Sequence, residues 1–254
     1  MNKIALVTGA TAGIGEATAL LLAQNNYDVI ITGRRQVRLT DLSNKLEKEY
    51  GVKALSLCFD VRDAKAVEEQ IKAIPNNWRK IDVLVNNAGL AVGREPIQDG
   101  LFDDWDRMID TNVKGLLYMS KCIANLMIEE EIKGQIVNIS SIAGKQVYAN
   151  GNVYCASKHA ATAISKALRI DLLHHGIRVC NISPGAAETE FSIVRYKGDA
   201  ERAKSVYHGY EALTAHDIAE TVLFAISRPA HVGINEIEIT PTAQASSYYT
   251  DKNI

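Results

Sequence analysis

Residues 4–15 read IALVTGATAGIG: the aliphatic run Ile4 to Val7, then Thr8, then a turn with glycines at 9, 13 and 15. An apolar-periodic segment, 13–25, follows directly, so the stretch predicts a strand passing through a glycine-rich turn into a helix, the opening of an α/β unit. Glycines let a backbone turn tightly and approach a pyrophosphate, whose charge is met by free N–H groups and the positive dipole end of the helix. The spacing departs from GxGxxG, because the first two glycines lie four apart. A tight strand-to-helix connection without a ligand therefore remains open at this point.

Outward from that turn, short runs of β-branched and aliphatic residues alternate with helix-length segments. The runs near Val29–Thr32, Ala54–Leu57, Val83–Val85, Gln135–Ile139, Arg178–Ile182 and Glu236–Ile239 complete seven strands with the first. Helical periodicity covers 13–25, 35–49, 63–74, 104–131, 152–175 and 214–227. Strands that are apolar on both faces and joined by crossover helices predict a single α/β domain over 1–254, with a doubly wound, parallel, seven-stranded Rossmann-type sheet and helices on both faces. The five prolines stand at segment edges and no linker divides the chain. The stretch without clear periodicity, 186–212, follows a strand end, where α/β proteins place loops that cover ligands.

The second strand ends in Gly33-Arg34-Arg35, where an NAD site presents an acidic residue to the ribose 2′-hydroxyl. No carboxylate stands here to repel a 2′-phosphate, and two guanidinium groups can hold one, so the pair predicts NADP(H). Other candidate cofactor contacts are Gly9, Thr11, Gly13, Ile14 and Gly15 of the turn, Asp60 and Val61 after the third strand, and Asn87, Ala88 and Gly89 after the fourth. Asp60 is placed to reach the adenine amino group, and Asn87 and Gly89 to line the ribose.

Tyr154 and Lys158 lie four apart in a helical segment and so share one face. Tyr248 and Lys252 repeat that spacing, but Tyr154 alone has a serine, Ser141, thirteen residues upstream at the end of a strand. A phenol of ordinary pKa about 10 is a poor base, and a nearby ammonium and an oxidised nicotinamide both favour its ionised form. It then exchanges a proton with an alcohol or carbonyl oxygen that Ser141 orients. Lys158 has a second use in holding the nicotinamide ribose, while Ser140 points to the other face of its strand.

Hydrophobic residues at 47%, charged residues at 23% and a net charge of -2 describe an ordinary globular chain, with no basic face for nucleic acid. Cys58, Cys122, Cys155 and Cys180 lie far apart and suggest neither disulfides nor zinc; Cys155 reads as a packing residue. The longest apolar stretches are too short for a signal segment or a membrane span, so the expected setting is the cytoplasm, with no membrane partner. No HExxH, GxSxG or phosphate-binding P-loop occurs, and no metal site is expected.

Taken together, TGATAGIG, NNAG at 86–89, the Ser141–Tyr154–Lys158 spacing and PGAAET at 184–189 resemble the short-chain dehydrogenase/reductase family over the full chain. The resemblance implies strand order 3-2-1-4-5-6-7 and adds Asn112, in TNVKG, as the anchor of a proton-relay water. It also implies Thr189 beside the nicotinamide carboxamide, with Pro184 and Gly185 beside the ring, and a homotetramer with paired helices drawn from 104–131 and 152–175. NNAGLAVGREP, DWDRMIDTNVKGL, GNVYCASK, TEFSIVRYKGD and RPAHVGINEIEITPT resemble more narrowly the NADP-dependent 3-hydroxy acid dehydrogenases. That group implies a small-molecule 3-hydroxy acid substrate: serine, allo-threonine, or 3-hydroxypropionate with its oxidised form malonic semialdehyde. Within 186–212, Arg195, Lys197 and Arg202 are candidates for its carboxylate, and Arg195 is favoured. A carbonyl or 3-oxoacyl reductase of the same family, and a non-catalytic nucleotide sensor, remain the alternatives.

Overall fold

The structure, a computed structural model, describes residues 2–252. Seven strands, β1 (Lys3–Val7), β2 (Tyr27–Gly33), β3 (Ala54–Cys58), β4 (Ile81–Asn86), β5 (Gln135–Ile139), β6 (Arg178–Pro184) and β7 (Glu236–Ile239), form one sheet in the order β3-β2-β1-β4-β5-β6-β7. Every pairing is parallel. The order reverses between β1 and β4, so the carboxyl ends of those strands open a crevice at the topological switch point.

Alternation along β1 explains the two cores. Ala5 and Val7 face one side, where α1 (Gly13–Gln24), α2 (Gln36–Tyr50) and α9 (Ala215–Ile226) contribute Leu22, Leu39, Leu46, Ile218 and Val222. Ile4 and Leu6 face the other, against Val67 and Ile71 of α3 (Ala64–Lys72) and Met119, Ile123 and Met127 of α5 (Leu116–Glu129). Burial on both faces is the reason β1 reads as a continuous apolar run, whereas the edge strand β7 (EIEI) keeps both glutamates exposed.

Two sequence expectations are corrected here. The segment 104–131 is not one α-helix: α4 (Phe102–Ile109) passes through a π-helical turn, Asp110–Gly115, before α5 begins. There Asn112 turns inward, accepting from the Leu90 N–H (2.8 Å) and donating to the Leu90 carbonyl (2.8 Å) and Ser157 Oγ (2.9 Å), bonds that compensate the widened turn. The segment 186–212 is not featureless either. It carries α7 (Glu190–Arg195) and α8 (Ala200–Ser205), whose first turns are capped by Thr189 and Asp199. Each is too short to show a period in sequence. The helix predicted over 152–175 is α6 (Asn152–Asp171), closed by a 3₁₀ turn, Leu173–His175.

No helix among the described residues is long and apolar enough to cross a membrane.

Candidate active site

The crevice above β1 and β4 is a single cavity of about 570 Å³ running from Arg34, Arg35 and Asp60 past the glycine turn to Ser141, Tyr154 and Lys158. The turn is held from behind. Thr8 Oγ1 accepts from the Asn87 and Ala88 N–H groups (3.0 and 2.9 Å), and Asn87 Nδ2 donates to the Thr8 and Gly9 carbonyls (2.9 and 3.2 Å). Asn87 therefore braces the turn that it faces. Asn86 is purely internal, donating to Ser120 and Asn138.

The turn suits a pyrophosphate. Gly9 has φ +66°, and a Cβ there would stand 2.9 Å from Ala88 Cα; a Cβ on Gly15 would collide with Asn87 Nδ2 and, at 2.5 Å, with the Gly9 carbonyl oxygen. Ala12 at the N-cap of α1 offers no side-chain acceptor to the first helical N–H groups, whereas Asp63 and Thr214 cap α3 and α9. Those free donors, at the end of a twelve-residue helix, are what an anionic phosphate needs. The residues present thus fit a dinucleotide. Thr11, Gly13 and Ile14 line the same stretch of the cavity, with Val61, Ala88 and Gly89 also in its lining and Pro184, Gly185 and Thr189 at the inner end.

At the outer end the two arginines expected to hold a 2′-phosphate are placed differently. Arg34 is more than half exposed and lies 3.6 Å from Asp60. Arg35 is engaged: Nε and Nη2 donate to Thr11 Oγ1 (3.0 and 2.8 Å), and Nη1 to Glu190 Oε2 (3.0 Å). Arg38, one turn further along α2, reaches the other Glu190 oxygen at 2.7 Å. Burial opposes ionisation of Asp60, but hydrogen bonds from Arg62, with the Arg34 charge behind them, hold its carboxyl below the usual range.

At the inner end, β5 delivers Ser141 and α6 delivers Tyr154 and Lys158. Ser141 Oγ accepts from the Ala143 N–H (3.1 Å) and neighbours the Tyr154 phenol, while Ser140 turns away to the Lys158 carbonyl and Thr162. Lys158 Nζ donates to the Ile139 carbonyl (3.0 Å) and lies 5.9 Å from the centre of the Tyr154 ring. Both side chains are buried. Burial pushes the Tyr154 phenol well above its usual range and brings Lys158 down to about 8. Around Tyr154, desolvation is the largest effect and exceeds the Ser141 hydrogen bond and the Arg195 charge, which both favour the ionised phenol. The expectation from sequence joins the Lys158 ammonium to the positive charge of an oxidised nicotinamide, which would act in the same direction as those two.

Of the three basic loop residues, one enters the cavity. Lys197 pairs with Asp104 at 2.7 Å and Arg202 stacks outside on Tyr196, but the Arg195 guanidinium lies 5.4 Å from the centres of both the Tyr148 and Tyr154 rings. Its Nη2 donates to Tyr148 Oη (2.8 Å), and its buried Nε has no hydrogen-bond partner among the described residues. Tyr148, Thr8, Ser157, Arg38 and Glu190 are site residues the sequence reading missed. Ser157 and Thr8 adjoin motif positions and Arg38 repeats Arg34 one helical turn on; Glu190, 155 residues from Arg35, gave no local signal.

The family model for short chain dehydrogenases matches residues 3–199. The chain belongs to that family. Within it, the short-chain dehydrogenase chain is 47% identical over 243 residues to the NADP-dependent 3-hydroxy acid dehydrogenase YdfG of Salmonella typhi, covering 95% of this chain and 96% of that one. It is 41% identical to sulfoacetaldehyde reductase 2 of Chromohalobacter salexigens over the whole of both chains. The closed form of serine dehydrogenase complexed with NADP+ superposes with a TM-score of 0.92 at 45% identity, covering 96% of this chain and 97% of that one. The enzyme is thus an NADP-dependent oxidoreductase of the short-chain type acting on CH–OH groups. All four cysteines are free, and among the described residues no cluster of His, Cys, Asp and Glu is arranged to hold a metal.

Proposed function

We propose that this enzyme moves a hydride between NADP(H) and the 3-carbon of a small 3-hydroxy acid, such as serine, allo-threonine or 3-hydroxypropionate, or of the matching semialdehyde. The observation that carries the reading is Arg195: a guanidinium lining the same cavity as Ser141, held over the Tyr154 ring, with an Nε that has no hydrogen-bond partner among the described residues. A carboxylate is the acceptor such a fork matches.

Bound NADP(H) supplies the hydride acceptor or donor. Ser141 would hold the substrate oxygen and Tyr154 exchange its proton: in oxidation the ionised Tyr154 would take the hydroxyl proton as the substrate carbon gives up its hydride. In reduction the neutral phenol donates that proton to the carbonyl oxygen. Lys158 fixes the geometry through Ile139 and adds charge that favours an ionised Tyr154. Because the Asn112 side chain spends its amide on Leu90 and Ser157, its hold on a relay water belongs to the main chain of the π-helical turn.

A sulfonate is a second anion this site suits. The sulfoacetaldehyde named for one relative carries its sulfonate one methylene from the carbonyl, as malonic semialdehyde carries its carboxylate, and an arginine fork accepts either. Assays with NADP+ and serine, 3-hydroxypropionate and 3-hydroxybutyrate, beside NADPH and sulfoacetaldehyde, test the reading. Turnover of none of them overturns it.

The chain works as one catalytic domain, and a homotetramer in the cytoplasm is its proposed setting. Ile170 of α6 and Leu117 of α5, exposed at 72% and 41%, support helix-paired assembly.

A further inference from the structure

We propose that Glu190 competes with the 2′-phosphate of NADP(H) for Arg35 and Arg38, making it a specificity-determining residue that also ties the substrate loop to the cofactor's phosphate end. The inference rests on the reading that the 2′-phosphate is received at the end of β2.

Glu190 divides its two oxygens between two guanidinium groups, Oε2 to Arg35 Nη1 and Oε1 to Arg38 Nη1. That is the arrangement by which arginines also hold a phosphate. Arg35 has little left to offer while the pair stands. Its Nε and Nη2 are already given to Thr11, and Arg38 Nη1 also reaches the Thr11 carbonyl at 3.2 Å. Both arginines and Glu190 are between two-fifths and half exposed, so the ion pairs are weak and open to exchange. A 2′-phosphate carries nearly twice the charge of the carboxylate it meets there.

Position gives the competition a consequence. Glu190 opens α7, directly after Thr189, whose side chain lies 3.2 Å from where a Cβ on Gly13 would stand, so this end of α7 rests on the glycine turn. The same short helix ends at Arg195 in the substrate cavity. NAD(H), lacking the phosphate, leaves Glu190 on its arginines. With NADP(H), Glu190 gives way and α7 reseats.

Binding of 2′,5′-ADP, NADP+ and NAD+ to wild type, Glu190→Gln and Arg35→Ala, measured by titration calorimetry on folded protein, tests this without turnover. The expected result is that Glu190→Gln tightens 2′,5′-ADP and NADP+ about fivefold and leaves NAD+ unchanged, while Arg35→Ala weakens only the two ligands that carry a 2′-phosphate. Unchanged or weaker NADP+ binding by Glu190→Gln, or a gain shared equally by NAD+, overturns the competition with the phosphate site intact. Should Arg35→Ala leave NADP+ binding unaltered, the underlying phosphate reading fails and the proposal falls with it.

Discussion

Replacing Arg195 by alanine separates substrate recognition from the chemistry beside it. The guanidinium offers a substrate carboxylate its unpartnered Nε and the remaining Nη donors, and charge-assisted hydrogen bonds contribute about 1.5–3 kcal/mol each. Taking the lower figure for two bonds gives about 3 kcal/mol, a loss of about a hundredfold or more in kcat/KM. Arg195 also lies over the Tyr148 and Tyr154 rings, contacts of about 0.5–1 kcal/mol each that act on every substrate, so an uncharged analogue should lose less than about thirtyfold. The assay compares kcat/KM for 3-hydroxybutyrate and its methyl ester in wild type, Arg195→Ala and Arg195→Lys. Lysine keeps the charge without the fork and should fall between. Equal losses for acid and ester, or no loss for either, would refute the carboxylate role.

Tyr154→Phe should lower kcat by about two to four orders of magnitude and leave NADP+ binding within about twofold, as steady-state rates beside fluorescence titration will read. Because burial raises the Tyr154 phenol, alcohol oxidation should quicken as pH rises through the alkaline range while carbonyl reduction does not; a flat oxidation profile contradicts the proton role. Lys158 is buried with its pKa brought from 10.5 down to about 8, so the folded chain bears a desolvated charge below pH 8. Between about 8 and 10.5 the unfolded chain binds the proton more tightly, and stability rises with pH through that window. Lys158→Met should therefore remove a cost of about 3 kcal/mol at pH 7, less about 1 kcal/mol for the lost bond to Ile139. Urea melts should show a net gain that shrinks toward pH 10.5, beside near-complete loss of activity; destabilisation at pH 7 defeats this. Asn87→Ala strips donors from the Thr8 and Gly9 carbonyls and should cost about 1–3 kcal/mol of stability and weaken NADP+ binding, both measurable by melts with and without the cofactor.

How far the sequence discloses this enzyme depends on the distance over which each feature is encoded. The central strands are legible because they are apolar on both faces, the edge strand β7 by its alternating EIEI, and the glycine turn because strand, glycines and helix are contiguous. Ser141, Tyr154 and Lys158 are legible as spacing on one strand end and one helix face. The π-helical turn at Asn112 is not, since its signal is a set of hydrogen bonds to Leu90 and Ser157, remote in sequence. Arg195 is visible as a basic residue in a loop, but its choice over Lys197 and Arg202 depends on Asp104 and Tyr196 occupying the other two. Glu190 is hidden for the same reason: its partners lie on α2. The burial of Tyr154 and Lys158 is likewise invisible in their spacing, and it sets the direction in which both groups are displaced, the phenol upward and the ammonium downward.

A crystal structure of the ternary complex with NADP+ and 3-hydroxybutyrate tests the central claim most directly. The account predicts the Ser141 and Tyr154 hydroxyls within about 3 Å of the substrate's 3-oxygen and the carboxylate against Arg195. A substrate oxygen beyond reach of both hydroxyls, or a carboxylate turned away from Arg195, would contradict it.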